Sequence, residues 1–199
     1  MSGERFSSWS GPAVMVGGVL WIAAAIITAL KSEGCIADEC GQPGRSMREG
    51  STLDGLIFIA ALLLIALGVA ALVIRTRRAR RLGRLGSTGL VATSVGVALL
   101  LVGLVVQGAL FGGDFPYMPL FVLPGGLGLV IGMLFLGIAV LRAATLPRWA
   151  AVLLIIGTLA MLGYNDQNIR ALMAVPFGIA WLAVGYSLWS GKGEQAFQG

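Results

Sequence analysis

The sequence predicts an all-α integral membrane protein: a six-helix transmembrane bundle with N- and C-termini cytoplasmic. Three observations carry this reading. Apolar residues make up 57% of the 199 and charged residues only 12%, about half the roughly 25% of a soluble domain. The mean hydropathy is +0.91. The apolar residues fall into six runs close to the roughly 20 residues that a helix needs to cross a bilayer, with short polar connections between them. A water-soluble fold of this size has nowhere to hide so much apolar surface. Lipid, facing the outside of every helix, removes that difficulty. The chain is read as a single polytopic domain.

The first span covers 12–31, after a short polar segment carrying Arg5 and Trp9. A signal peptide is the competing reading. The apolar run is long for its core of about 7–15 residues, and no small-x-small cleavage site follows. A retained anchor is expected. The outer loop, 32–52, holds Cys35 and Cys40 and ends in Ser51-Thr52-Leu53-Asp54. That is a helix-start pattern: the serine hydroxyl accepts from a first-turn amide and the acid suits the positive helix end. It opens the second span, 53–74.

The cytoplasmic basic loop, 75–86, contains Arg75, Arg77, Arg78, Arg80, Arg81 and Arg84 and no acid. It orients the bundle, because Lys and Arg concentrate in cytoplasmic loops. With this loop inside, ten basic residues lie inside (Arg5, these six, Arg142, Arg148 and Lys192) and four outside (Lys31, Arg45, Arg48 and Arg170). Seven of the nine acids fall outside. Trp9, Trp149 and Trp189 then mark the inner interface, and Tyr117 and Tyr164 the outer one, as aromatic belts do.

The third span is 87–111, followed by a Gly-Pro turn at 112–119. The fourth is 120–141 and the fifth 149–164, joined by a basic link, 142–148. Asn165-Asp166-Gln167-Asn168 is a polar turn able to cap the sixth span, 169–189. Leu67-Gly68-Val69-Ala70 echoes Leu136-Gly137-Ile138-Ala139, and Leu123-Pro124-Gly125 echoes Val175-Pro176-Phe177-Gly178. These matches suggest three helical-hairpin repeats in parallel order.

Candidate functional residues are few. Histidine is absent, which removes the commonest general base and transition-metal ligand. No P-loop, nucleophile elbow or HExxH motif occurs. No catalytic residue, metal or cofactor is expected. Cys35 and Cys40 do not have the spacing of a redox C-x-x-C pair. In an oxidising compartment they are expected to form a structural disulfide.

Gly89, Gly96 and Gly103 recur every seven residues, with Thr93, Leu100, Gln107 and Leu110 on the same stripe. Gly128 and Gly132 offer a second close-packing face. Small residues let helix backbones approach. Gln107, Asp166 and Arg170 form a candidate polar pocket. Span centres carry no charge, against the intramembrane carboxylate of an ion-coupled transporter.

The basic loop suits anionic lipid head groups, each charge contributing about 1 kcal/mol near the leaflet. Nucleic acid is not an expected partner, because the arginines sit at the ends of apolar runs. The Ala, Gly, Leu and Arg bias points to a GC-rich bacterium and so to its cytoplasmic (inner) membrane. The function expected is that of a multi-span membrane protein without catalytic chemistry, acting through lipid or a partner membrane subunit. The alternatives are a small-molecule transporter or receptor with an outward-facing pocket, and a thiol-disulfide enzyme using Cys35 and Cys40.

Overall fold

The computed structural model describes residues 3–35, 40, 42, 44, 46, 48, 51–78, 83–111 and 117–190. Among them all regular structure is helical: α1 Gly3–Leu30, α2 Thr52–Arg78, α3 Gly83–Leu110, α4 Pro119–Ala143, α5 Arg148–Ala160 and α6 Val175–Trp189. Short 3-10 segments at Met161–Gly163 and Ile169–Ala174 extend α5 and precede α6. Among the described residues five stretches are long and apolar enough to cross a membrane: Trp9–Leu30, Thr52–Arg77, Gly83–Leu110, Pro119–Ala143 and Ile169–Trp189. This is a multi-pass helical membrane fold.

The helices run past the boundaries that hydropathy suggests. α1 begins at Gly3, taking in the segment read as a polar lead, and carries Pro12 inside it. α2 continues through Arg75–Arg78 and α3 already starts at Gly83. Most of the basic loop is therefore helix, and the expected 75–86 connection shrinks to 79–82, outside the described residues. Hydropathy marks where lipid ends; a hydrogen-bonded helix can continue into the interface beyond it.

α5 departs the other way. Arg148–Gly163 is shorter than a span, covering about 25 Å against a hydrocarbon core of about 30 Å. Its two ends are nonetheless fixed at opposite ends of the bundle. Before α5, the Thr145 hydroxyl meets that of Thr76, at the end of α2, at 3.3 Å. After α5, the backbone of Asp166 and Gln167 bonds to the 31–48 loop.

The helices form a ring in which α3 packs on α4, α4 on α5, α5 on α6, α6 on α1 and α1 on α2. α2 also touches α3, α4 and α6, which makes it the central element. Its buried face (Ala61, Leu62, Ile65, Val69, Leu72) belongs to one core with Trp181, Phe177, Met133 and Leu136. Gly68 lets the Trp181 ring lie against the α2 backbone, since a Cβ there would come within 2.7 Å of it. The outward faces stay apolar, as lipid requires. Val91, Val95, Val102 and Val105 of α3 are all exposed, opposite its glycines.

Two glycine seams hold the ring. In α3 and α4, Gly89 opposes Gly132 and Leu136, Gly96 opposes Gly125, Gly128 and Leu129, and Gly103 opposes Phe121. Gly128 and Gly132 are thus the other side of the α3 stripe and belong to one interface. The second seam joins α1 to α6. Gly11 faces Gly185, and Gly18 faces Gly178, with each pair seven residues apart along its helix. Both described ends of the chain consequently share the end of the bundle where α2 stops.

Candidate functional site

Polar chemistry collects at the two ends of the bundle. At one end lie Lys31, Cys35, Arg48, Asp54 and the 165–168 turn; at the other lie Arg77, Arg84, Arg142 and Arg148.

The first end begins with local capping. The Asp54 amide donates to the Ser51 hydroxyl at 3.2 Å, and the Asp54 carboxylate accepts from the Ser51 amide at 2.8 Å. This reciprocal pair satisfies amides that a helix start leaves open. The same carboxylate forms an ion pair with Lys31, tying the end of α1 to the start of α2. In the next turn, the Asn168 side chain accepts from the Arg170 amide at 2.8 Å and caps the 3-10 segment.

Arg48 then binds these parts together. Its Nε donates to the Ser32 carbonyl at 2.8 Å, Nη2 to that of Lys31 at 3.1 Å and Nη1 to that of Asp166 at 2.5 Å. Its backbone amide donates to Gln167 Oε1 at 2.7 Å. One planar guanidinium thus serves three carbonyls, two of them at the C-terminal end of α1, where the helix dipole favours a cation. The Gly34 amide donates to the Gln167 carbonyl at 2.8 Å, and the Cys35 amide to that of Ser46 at 3.1 Å.

Cys35 and Cys40 are joined by a disulfide within this loop, and Cys35 is buried. Tyr164 borders the clamp with 38% of its surface exposed. Desolvation of its hydroxyl, helped by the Asp166 carboxylate and opposed by Arg48, pushes the phenol up to about 12. It is neutral at physiological pH.

The residues singled out as a polar pocket divide between two places. Asp166 and Arg170 are exposed in the clamped turn and the segment after it, which packs on α1. Gln107 is half-buried near the end of α3, whose neighbours are α4 and α2. The α3 stripe itself is buried from Gly86 to Gly103, while Leu110 at its end is exposed. Thr93, in mid-seam, is buried with no hydrogen-bond partner for its hydroxyl.

At the second end, Arg77, Arg84, Arg142 and Arg148 are exposed, and Arg75 is half-buried. Arg80, Arg81 and the Arg78 side chain lie outside the described residues. The carboxylate side chains that are described (Glu33, Asp54 and Asp166) belong to the opposite end, and the side chain of Glu4, in the first turn of α1, lies outside the described residues. Between the ends, Trp21 packs in tilted contact with Phe58 and Phe177, ring centroids 5.0 and 5.2 Å apart. The Trp21 and Trp181 indole N–H groups are buried there without partners.

Sequence reading missed two features. The Gly11/Gly18 and Gly178/Gly185 seam carries the same seven-residue spacing as α3 and was open to detection. Arg48 registered only as an outer charge, because nothing local signals bonds to carbonyls up to 118 residues away.

Comparison with protein families, characterised proteins and solved structures finds no match to this chain.

Proposed function

We propose that this chain is a six-helix protein of a bacterial inner membrane, with both termini and the arginine-rich end in the cytoplasm. It acts without catalysis, holding anionic lipid and a partner membrane subunit through its packed helices. The single observation that carries the orientation is that the disulfide and the arginines lie at opposite ends of the bundle. A disulfide belongs to an oxidising compartment and clustered arginine to the cytoplasmic side, so two independent rules choose the same orientation. The placement of α5 supports a sixth crossing, because its flanking residues bond at both ends of the bundle. The contacts within α1–α2, α3–α4 and α5–α6 are compatible with three hairpins of common origin.

Alkaline-phosphatase and fluorescent-protein fusions test the orientation. Fusions within 36–47 and at 166 should report the periplasm; those within 79–82, at 145 and after 190 should report the cytoplasm. A periplasmic report from 79–82 would refute it. Purification in mild detergent tests the role. Anionic phospholipid or a stoichiometric membrane subunit should accompany the chain, and a bare monomer would refute it.

A further inference from the structure

The two basic segments are about 70 residues apart in sequence, yet the fold brings them together. Thr76, fully buried between Arg75 and Arg77, meets the buried Thr145 of the α4–α5 link at 3.3 Å. Thr76 also donates to the Leu72 carbonyl at 2.7 Å, which fixes its rotamer. Arg142 and Arg148 flank Thr145 by three residues on each side. Arg84, in the first turn of α3, joins the same end. Arg77, Arg84, Arg142 and Arg148 are all exposed, and the described carboxylate side chains, Glu33, Asp54 and Asp166, lie at the opposite end.

Like charges brought to one end of the bundle from three segments repel one another, and an anion bound there relieves that repulsion. The depth of the cluster argues for lipid over a soluble anion. Trp149 adjoins Arg148 and is 50% exposed, and Trp9 and Trp189 at the same end are exposed as well. Tryptophans so placed lie at head-group level. A single guanidinium binds a phosphate in bidentate geometry, and the Thr76–Thr145 contact sets two separate basic segments side by side, one for each of two phosphates.

We propose that the end of α2, the start of α3 and the α4–α5 link form one site for a phospholipid head group carrying two phosphates. The proposal rests on the reading that this end faces an anionic cytoplasmic leaflet.

The test is lipid retention by the full chain in mild detergent, read by native mass spectrometry and thermal unfolding. The additions are diphosphatidylglycerol, phosphatidylglycerol, phosphatidylcholine and free pyrophosphate. Diphosphatidylglycerol should be retained in preference to phosphatidylglycerol and should raise the melting temperature; phosphatidylcholine and pyrophosphate should not. The double variants Arg77→Gln/Arg84→Gln and Arg142→Gln/Arg148→Gln should each weaken its binding about 25-fold, at about fivefold per arginine. Arg170→Gln, at the opposite end, should leave it unchanged.

Equal retention of the one- and two-phosphate lipids, or equal stabilisation by pyrophosphate, would overturn the two-phosphate lipid site. Loss with Arg77→Gln/Arg84→Gln but not with Arg142→Gln/Arg148→Gln would overturn the composite site and leave the basic end as a general lipid contact. No retention of any anionic lipid by the unaltered chain would remove the proposed lipid-binding role as well.

Discussion

Gly18 and Gly178 stand backbone to backbone across the α1–α6 interface. A Cβ on Gly18 would lie 2.7 Å from the Gly178 carbonyl oxygen, and one on Gly178 would lie 2.8 Å from that of Gly18. Gly11 and Gly185 repeat the relationship seven residues away. In lipid no hydrophobic effect drives helices together, so close backbone contact of this kind carries much of the association.

Gly18→Val and Gly178→Val should each destabilise the bundle by about 1–3 kcal/mol or more, since the obstructing atoms are backbone and cannot swing aside. Gly126→Ala, where a Cβ meets nothing within 4 Å, should change little. Thermal unfolding in detergent, followed by tryptophan fluorescence, makes the comparison.

Thr93→Val in the α3–α4 seam should stabilise the protein by up to about 1 kcal/mol. The Thr93 hydroxyl is buried and unpartnered, and the valine keeps its shape while removing the desolvated group. Chemical denaturation midpoints of the two proteins decide this. A marked loss of stability would show that the hydroxyl has a partner in the membrane.

Arg48→Lys should fail to replace arginine, because an ammonium cannot reproduce the planar fork that reaches three carbonyls. Both Arg48→Lys and Arg48→Ala should speed amide hydrogen exchange at Gly34 and Cys35, whose partners are held by the same clamp. Exchange in the α3–α4 seam should stay as before. Mass-resolved hydrogen exchange reads both regions at once.

Ala144→Gly should stabilise by about 1 kcal/mol. Ala144 ends α4 in the left-handed region, with φ of 51°, where a Cβ is strained and glycine is not. Its amide bonds to the Leu141 carbonyl and has no reason to move. Gly83→Ala, at φ of 60°, should cost a similar amount with opposite sign. Melting temperatures of the pair check both directions.

The apolar runs made the membrane class legible because lipid demands unbroken apolar length, a local property of sequence. Helix ends were less legible. Arg75 to Arg78 remain helical although they are charged, since the interface tolerates snorkelling side chains on a continuing helix. The last turn of the fifth apolar run, Met161–Gly163, tightens into a 3-10 segment that hydropathy does not distinguish from α-helix. The capping pair Ser51–Asp54 could be read because its partners are three residues apart. The Arg48 clamp could not, because its acceptors are main-chain oxygens that any residue offers. The convergence of Arg142 and Arg148 on the end of α2 depends on ring closure, which no short-range pattern encodes.

The α1–α6 seam also has a consequence in time. α1 leaves the ribosome before α6, so the notch around Gly11 and Gly18 must wait in lipid while the four intervening helices are made. Until then α1 leans on α2, and its open groove is the exposed flank of an unfinished ring. Nascent chains stalled before residue 175 should therefore be the forms most readily captured by insertion chaperones, and the closing of the circle the step that releases them.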